Sequence, residues 1–385
     1  MRADRPDSAT LADGAADLVA AYVHVPFCRR RCPYCDFAVA EMGDAERLTG
    51  ALVAEIGRSR PFARPLDAVY FGGGTPSALE PKLLRRVLEA LQHRFRFAPD
   101  VEVSLEANPE DLTPALASTL VECGFNRISL GVQSLDDDVL RHLGRAHDGV
   151  QGRAALDAAR AVFPSVNADL IFGAPGESAG SWERSLRGVI ECGVDHLSAY
   201  ALTVERGTAL SRAVAKGAPA PDPDLQADAY DVALQIVAAA GLARYETSNF
   251  ARRGHACAYN LITWAQGEYE AFGNGAHRHR DGVRSWNLWR LDRYLEKVEA
   301  GSSPVSGHER VEGAAVEVER LMLGLRRAAG VTLGRGGAAL LASPAGKRLA
   351  DAGVIAVEGG RLRVARPLLG DEVARELLAI DLPEC

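Results

Sequence analysis

Three cysteines lie close together in the stretch YVHVPFCRRRCPYCDF, which spans residues 22–37. Cys28, Cys32 and Cys35 follow the pattern C-x3-C-x2-C, so one tight loop can gather their thiols. A structural zinc site is normally closed by four protein ligands, whereas an iron–sulfur cube can keep one iron open for a small molecule. The lack of a fourth thiol in the motif favours a [4Fe–4S] cluster, and a zinc site completed by His24 is the alternative.

Further candidate site residues follow, or lie within, other short apolar runs. They are Gly73, Gly74 and Thr75 in GGGTP, Glu106 in EANP, Gln133 in GVQS, Arg145, Asp169, Tyr200 and Ala201. The glycines either leave backbone groups open to a ligand or form a turn, and Glu106 suits either a ribose diol or the cap of the next turn. The Arg145 guanidinium suits a carboxylate. Asp169 must be hydrogen-bonded or face a ligand, because burying an unpaired carboxylate costs several kcal/mol.

The elements that must position these residues alternate between strand and helix. Strands are predicted at 21–27, 67–73, 101–106, 126–132, 166–173 and 196–202, with helical periodicity between them. Repeated strand–helix–strand units predict a parallel sheet with right-handed crossovers, and six units predict an α/β fold with a partial (β/α)6 barrel. In such barrels the chemistry collects at the carboxyl ends of the strands, and the candidate residues above lie there.

The rest of the chain divides into further units. We expect a disordered tail at 1–20, the barrel at 21–217, a barrel extension at 224–300 and a winged-helix-like α+β domain at 310–385. Within the extension, Asp281-Gly282 predicts a turn between short strands that extend the sheet. In the C-terminal domain, Gly359-Gly360 predicts a hairpin that follows helices.

The composition limits the location and the partners of the protein. A net charge of −7 argues against a general attraction to nucleic acid, and no run approaches the roughly 18 apolar residues of a membrane span. Seven cysteines, an odd number, cannot all pair in a secreted framework. We therefore expect a cytoplasmic protein without a nucleic-acid partner, and nothing in the sequence indicates a peripheral membrane contact.

The motifs CRRRCPYC and GGGTP together resemble the radical S-adenosylmethionine superfamily. In that family a C-x3-C-x2-C loop holds a [4Fe–4S] cluster whose open iron binds S-adenosylmethionine, and an electron from the cluster cleaves the sulfonium to a 5′-deoxyadenosyl radical. The further motifs YVHVPFC, YCDF, YFGGGTPS, ISLGVQS, ADLIFGAPGES and YETSNFAR are similar to the oxygen-independent coproporphyrinogen III oxidase group, and most similar to its haem chaperone branch. The resemblance covers residues 21 to about 380.

Carried over by position, the resemblance implies roles for most of the candidate residues. Cys28, Cys32 and Cys35 would bind the cluster. Tyr22 and Tyr34 would line S-adenosylmethionine, whose amino end would meet Gly73, Gly74 and Thr75 and whose carboxylate would bind Arg145. The ribose and adenine side of S-adenosylmethionine would face Glu106, Gln133, Asp169 and Ala201. The implied cofactors are the cluster and S-adenosylmethionine, with haem as a further ligand. The implied partners are haem or a porphyrin, a haem-acceptor protein and an electron-donor protein.

Two departures from the group's patterns bear on function. The decarboxylating oxidases carry another cysteine two residues after the third cluster ligand, where this chain has Phe37, so coproporphyrinogen dehydrogenase activity is not expected. The chaperone branch tends to show H-N-x-x-Y-W beyond the barrel, where this chain has Tyr259 in place of the histidine. His24, His255 and His277 are then the candidate haem ligands, with His24 the first choice.

Three functions are therefore carried forward: a haem-trafficking chaperone, a radical enzyme acting on a porphyrinogen, and a radical methyltransferase of the same group. The chaperone is the preferred hypothesis because the residue at position 37 follows that branch.

Overall fold

The computed structural model describes residues 14–380, and among them twelve strands form one continuous sheet. The strands as far as residue 201 are β1 (Val19–Val25), β2 (Phe27–Cys28), β3 (Ala40–Glu41), β4 (Leu66–Gly73), β5 (Phe97–Ala107), β6 (Arg127–Gln133), β7 (Ser165–Phe172) and β8 (His196–Ala201). Those that follow are β9 (Ala243–Arg244), β10 (Asn249–Ala251), β11 (Glu268–Phe272), β12 (His277–Arg280), β13 (Val283–Asn287), β14 (Val305–Arg310), β15 (Val331–Thr332), β16 (Ile355–Glu358) and β17 (Arg361–Val364).

Helices connect and cover these strands. Up to residue 299 they are α1 (Ala45–Arg58), α2 (Pro81–Arg94), α3 (Pro114–Glu122), α4 (Asp137–His142), α5 (Gly149–Val162), α6 (Ala179–Glu191), α7 (Ala209–Ala215), α8 (Pro223–Ala239), α9 (Ala258–Trp264) and α10 (Leu291–Glu299). The later helices are α11 (Ala314–Gly324), α12 (Gly334–Ala342), α13 (Pro344–Asp351) and α14 (Gly370–Leu378), and short 3₁₀ turns lie at Ala15–Asp17, Pro76–Ala78 and Pro367–Leu369.

The centre of the sheet confirms the predicted parallel arrangement. Strands β1, β4, β5, β6, β7 and β8 are neighbours in that order, and each adjacent pair is parallel. At least one helix lies in each of the five connections between successive strands of this set, as crossovers between parallel strands require. Apolar faces of these helices bury residues such as Leu84 and Trp182 against the strands in one large core.

The first strand differs from its predicted bounds. It begins at Val19 and ends at Val25, because Pro26 has no N–H to donate to a neighbouring strand. The chain then continues as the separate short strand β2, which carries Cys28. A disordered tail was predicted at 1–20, and residues 1–13 of it lie outside the described residues. In the described part, Val19 and Ala20 are buried in the sheet.

Strands from the second part of the chain extend the sheet at both edges. β11 lies parallel to β1 and leads to the antiparallel β12, β13 and β14, while β10 and β9 continue from β8. The turn predicted between β12 and β13 is present, and Asp281 and Gly282 both have positive φ, as a two-residue hairpin of this kind requires. The parallel β11 was not among the six predicted strands.

The C-terminal residues form an α+β unit with its own small core. β15, β17 and β16 form a three-stranded sheet in that order, and the turn between β16 and β17 falls at Gly359 and Gly360. The succession α11, β15, α12, α13, β16 and β17 is that of a winged helix. Over residues 14–380, no helix is both long and apolar enough to cross a bilayer.

Candidate radical S-adenosylmethionine site

A cavity of about 580 Å³ opens at the carboxyl ends of the parallel strands. All of the residues predicted to form the site line it: Tyr22, Cys28, Cys32, Tyr34, Cys35, Gly73, Gly74, Thr75, Glu106, Gln133, Arg145, Asp169 and Ala201. They come from separate strands and loops spread over 180 positions of the chain. The parallel register brings them together because every strand ends at the same edge of the sheet.

The three cysteines lie on one loop at the mouth of this cavity. Each is a free, half-buried thiol, and the loop is tightened by a hydrogen bond from the Cys35 N–H to the Cys32 carbonyl at 3.2 Å. Burial raises the pKa of the Cys28 and Cys35 thiols. Iron would favour their thiolate forms, so cluster binding would release protons.

The arrangement of these thiols is compatible with a cluster. No group of three or more His, Cys, Asp or Glu side chains within residues 14–380 is placed to hold one metal ion. In a cube each thiolate binds a different iron, so the thiols need not converge on one point. Nor does His24 complete a zinc site: its Nε2 lies 3.0 Å from the Ala38 carbonyl oxygen, and its Nδ1 lies 3.1 Å from the Tyr22 hydroxyl.

A chain of hydrogen bonds connects two of the cysteine thiols. Thr75 Oγ1 donates to Cys28 Sγ at 3.6 Å, and Arg145 Nη1 donates to Cys32 Sγ at 3.3 Å. Asn108 joins the two, since its Nδ2 donates to Thr75 Oγ1 at 2.9 Å and its Oδ1 accepts from Arg145 Nη2. Sequence reasoning missed Asn108, although it stands in the EANP motif directly after Glu106 and Ala107.

Arg145 is more fully engaged than a carboxylate-binding arginine was expected to be. Its Nη2 also donates to the Gly131 carbonyl at 2.9 Å, while its Nε is buried without a hydrogen-bond partner among the described residues. The Nε–H is therefore one donor of this guanidinium without an acceptor among the described residues.

The backbone N–H groups of the glycine run are bonded within the protein, whereas one of the two predictions left them open to a ligand. The N–H of Gly73 donates to Glu106 Oε2, that of Gly74 to the Val25 carbonyl and that of Thr75 to the Phe27 carbonyl. These donors are thus used inside the protein and are not open to a ligand. Glycine is required because a Cβ on Gly74 would lie 2.6 Å from the Pro26 carbonyl oxygen, where the chain enters the cysteine loop.

Glu106 and Asp169 are buried carboxyl groups on the inner wall of the cavity. Glu106 accepts from the Tyr70 hydroxyl at 2.8 Å as well as from Gly73, so it does not cap the turn that follows it. Burial raises the pKa of Glu106 to about 7. Asp169 accepts from Ser129 Oγ at 2.9 Å and Asn167 Nδ2 at 2.7 Å, and burial also raises its pKa. Asp169 is therefore hydrogen-bonded and lines the cavity.

Three tyrosines stack along one side of the cavity. The rings of Tyr22, Tyr70 and Tyr259 stack on one another with centroid separations of 5.1 to 6.3 Å. Tyr259 occupies the position where a histidine was expected from the family pattern, and it lines the cavity with Asn260. Gln133 reaches the same cavity from a backbone with φ of 63°, at the end of β6.

The three histidines considered as haem ligands do not converge on this cavity. His24, the first choice, does not line the cavity: both of its ring nitrogens are hydrogen-bonded and the residue is only 6% exposed. The Nε2–H donates to the Ala38 carbonyl and Nδ1 accepts from the Tyr22 hydroxyl, and burial lowers the pKa of the His24 ring. His255 Nδ1 lies 3.0 Å from Ser165 Oγ, and His277 is exposed on β12 with its ring stacked on Trp286.

A parallel barrel with three free thiols on the loop beyond its first strand defines the class of radical S-adenosylmethionine proteins. The model of the Radical SAM superfamily matches residues 22–188. The heme chaperone HemW of Mycobacterium tuberculosis is 41% identical over 370 residues, covering 93% of this chain and 94% of that protein. The Synechocystis heme chaperone HemW is 37% identical over 326 residues, covering 81% and 79%. The chain therefore belongs to the HemW family of the radical SAM superfamily.

A solved structure shares the whole fold. Coproporphyrinogen III oxidase (HemN) from Escherichia coli, described as a radical SAM enzyme, matches with a TM-score of 0.79 and 23% identity, covering 95% of this chain and 92% of that one. At this level of identity the likeness confirms the α/β fold with its parallel sheet and carries no conclusion about activity.

Proposed function

We propose that this chain is a haem chaperone that holds a [4Fe–4S] cluster, binds S-adenosylmethionine in the cavity and passes haem to an acceptor protein. The observation that carries the proposal is the set of three free thiols at the mouth of the 580 Å³ cavity, in a chain 41% identical to a HemW over nearly its full length. The cytoplasm, where thiols remain reduced, suits these cysteines.

Within this proposal the residues of the chain have distinct tasks. Cys28, Cys32 and Cys35 hold the cluster, which when bound supplies an electron to S-adenosylmethionine. The Arg145 Nε–H, which has no partner among the described residues, meets the carboxylate of S-adenosylmethionine. Gly73, Gly74 and Thr75 lie on its amino side.

The remaining site residues face the nucleoside of S-adenosylmethionine. Glu106 and Asp169 accept hydrogen bonds from the ribose side, and Gln133 and Ala201 lie toward the adenine. Tyr22 and Tyr34 line the cofactor, and burial raises the pKa of Tyr34 so that its hydroxyl stays protonated and can donate.

Phe37 favours the chaperone over a porphyrinogen-oxidising enzyme. It lines the mouth of the cavity and is 58% exposed, in the position where the oxidases carry an additional cysteine. A phenyl ring cannot exchange protons or electrons as a thiol can. The purified protein should therefore bind haem and fail to convert coproporphyrinogen III to protoporphyrinogen IX.

Anaerobic reconstitution tests the cluster. Wild-type protein should retain close to four irons and four sulfides, and Cys32→Ala should abolish the cluster, whereas Cys192→Ala, far from the loop, should leave it intact. Stoichiometric zinc without labile sulfide would contradict the proposal.

The affinity of the reconstituted protein for S-adenosylmethionine tests the role proposed for Arg145. Arg145→Ala should weaken binding by about 1.5–3 kcal/mol, because a charge-assisted hydrogen bond is lost. Arg145→Lys should not restore the affinity, since one ammonium cannot contact Cys32, Asn108 and a carboxylate together. Unchanged affinity in the alanine variant would reject this role.

Haem titration, monitored by the absorbance of the Soret band, tests whether the protein binds haem. Wild type and His24→Ala should bind haem alike, because His24 is engaged inside the protein. Failure of the wild type to bind haem, together with decarboxylation of the porphyrinogen or methyl transfer, would favour an enzyme.

A further inference from the structure

The loop that holds the cysteines also carries three consecutive arginines. Arg29, Arg30 and Arg31 fill the interval between the first two cysteines, and all three are exposed. Arg29 is paired with Asp111 at 2.6 Å. Within residues 14–380, by contrast, Arg30 has neither a hydrogen bond nor an ion pair, and Arg31 makes only a long contact of 3.4 Å with the Cys35 carbonyl.

Two of these arginines lie at the entrance to the cavity. Arg30 and Arg31 line its mouth together with the cysteines. The chain as a whole has 44 basic and 51 acidic residues, so two adjacent unpaired arginines are a local concentration of positive charge. Asp36 is the exposed acid of the same loop and offsets part of that charge. The fold makes little use of either guanidinium, which leaves both available to a partner.

Two exposed aromatic side chains lie on or next to the same loop. Phe37 belongs to the same mouth, and Trp289 is 57% exposed. Asn274 Nδ2 donates to the carbonyl oxygens of both Trp289 and Ala38, which places the tryptophan next to the cysteine loop. We call the surface formed by Arg30, Arg31, Phe37 and Trp289 the rim. Arginine and aromatic residues are enriched where proteins bind one another, so the rim has the composition of a protein-docking surface.

We propose that Arg30 and Arg31, with Phe37 beside them, form the docking surface for an acidic one-electron carrier protein that reduces the cluster. The proposal rests on the proposed function, because it requires a cluster at the cysteines. One electron leaves the reduced carrier and converts [4Fe–4S]²⁺ to [4Fe–4S]⁺, without a proton transfer and without any bond being formed or broken.

The position and the charge of the rim select this class of partner. An electron carrier must bring its own redox centre close to the cluster, and the rim is the part of the surface nearest the cysteines. Opposite charges speed such encounters, which use small and transient interfaces. An anionic bilayer would also attract the arginines, but it is flat and brings no electron to thiols set at the mouth of a cavity.

Stopped-flow reduction of the reconstituted protein tests the proposal, with flavodoxin hydroquinone as the probe. The variant Arg30→Gln/Arg31→Gln is compared with Arg253→Gln/Arg335→Gln, which removes the same charge. Arg335 is exposed in the C-terminal unit, and Arg253 follows β10, where Ala251 pairs with His196 at the amino end of β8, opposite the cavity mouth. Photoreduced deazariboflavin, a small uncharged reductant, reports whether each cluster can be reduced at all.

At low salt, flavodoxin hydroquinone should reduce the loop variant about tenfold more slowly than the wild type, as a second-order rate constant. Raising the salt should slow reduction of the wild type toward the rate of the loop variant. The control variant should match the wild type, and deazariboflavin should reduce all three proteins alike. Equal flavodoxin rates in every protein, or an equal loss in the control, would overturn the inference. So would a loop variant that keeps its flavodoxin rate but no longer binds vesicles containing phosphatidylglycerol. A wild type without iron and sulfide would instead refute the proposed function.

Discussion

At the scale of single residues, Asn108 links the two side chains that donate to cysteine thiols. Its amide donates to Thr75 and accepts from Arg145, and those two residues contact Cys28 and Cys32. Hydrogen bonds to the sulfur ligands of iron–sulfur clusters tune the reduction potential. Under the proposed function, Asn108 would act on the cluster through these neighbours and would be a positioning residue.

Replacing Asn108 by Ala should move the midpoint potential of the cluster to a more negative value, because the donors to both thiolates are loosened. Spectroelectrochemistry of the reconstituted variant measures the shift. Asn126→Ala is the matched control, since Asn126 also bonds through both amide atoms, to Val101 and Val103, away from the cysteines. An unchanged potential in the Asn108 variant, or the same shift in both, would refute the role.

Glu106 should make the stability of the apoprotein depend on pH. Its pKa is raised from 4.5 to about 7 by burial, so between these values the folded state holds a proton that the unfolded state has released. Stability should therefore fall as pH rises through this window, by about 3 kcal/mol at most. Glu177 has a similarly raised pKa and adds to the effect in the wild type, so the comparison with a variant isolates Glu106.

Urea unfolding of the wild type and Glu106→Gln at several pH values tests this. The variant should show a flatter profile between pH 4.5 and 7. Parallel profiles would mean that Glu106 titrates normally in the folded protein.

At the scale of elements, the glycine run and the cysteine loop depend on each other. The Gly74 N–H donates to the Val25 carbonyl at 2.7 Å, and a Cβ at Gly74 would meet the Pro26 and Phe27 carbonyl oxygens at 2.6 and 2.7 Å. These are backbone atoms, which cannot rotate away as a flexible side chain can. The end of β4 therefore sets the path by which the chain enters the cysteine loop.

Gly74→Ala should destabilise the protein by about 1–3 kcal/mol and lower the iron retained after reconstitution, because the loop must shift. Gly50→Ala is the control: Gly50 lies within α1, with no atom within 4 Å of a Cβ added there. That substitution should stabilise the protein by about 0.5–1 kcal/mol. Thermal unfolding and iron analysis compare the two, and full iron retention in Gly74→Ala would contradict the predicted contact.

At the scale of the whole molecule, one buried carboxylate joins the barrel to its extension. Glu55 of α1 accepts from the Gly273 N–H at 2.9 Å, Asn287 Nδ2 at 2.7 Å and the Tyr294 hydroxyl at 2.8 Å, and it is 3.3 Å from Arg278. Its four partners all lie between residues 273 and 294. The added strands are thus fixed to the barrel by a fully bonded polar group as well as by β-sheet pairing.

Glu55→Ala should cost about 3–5 kcal/mol, because the buried donors of Gly273, Asn287 and Tyr294 lose their shared acceptor. Glu299→Ala, which breaks the exposed bidentate pair with Arg47 between α10 and α1, should change stability little. Denaturant unfolding compares the two variants. A small effect at Glu55 would show that sheet pairing alone attaches the extension.

The sequence by itself determined the local features of this protein. The cysteine spacing indicated a cluster, the alternation of strands and helices predicted the parallel barrel, and the Asp281-Gly282 turn was placed correctly, because each depends on residues near one another in the chain. Since parallel strands end at one edge, the same reasoning also brought residues as distant as Tyr22 and Ala201 into one cavity.

Only the tertiary structure decided which partners the distant residues have. The engagement of His24 inside the protein, the linking position of Asn108 and the parallel pairing of β11 with β1 all depend on contacts between segments far apart in sequence. Side-chain direction and strand order arise from the packing of the whole chain, and no local pattern specifies them. For that reason the sequence could name Arg145 as a ligand-binding residue, but it could not show that the same guanidinium already holds a cysteine thiol.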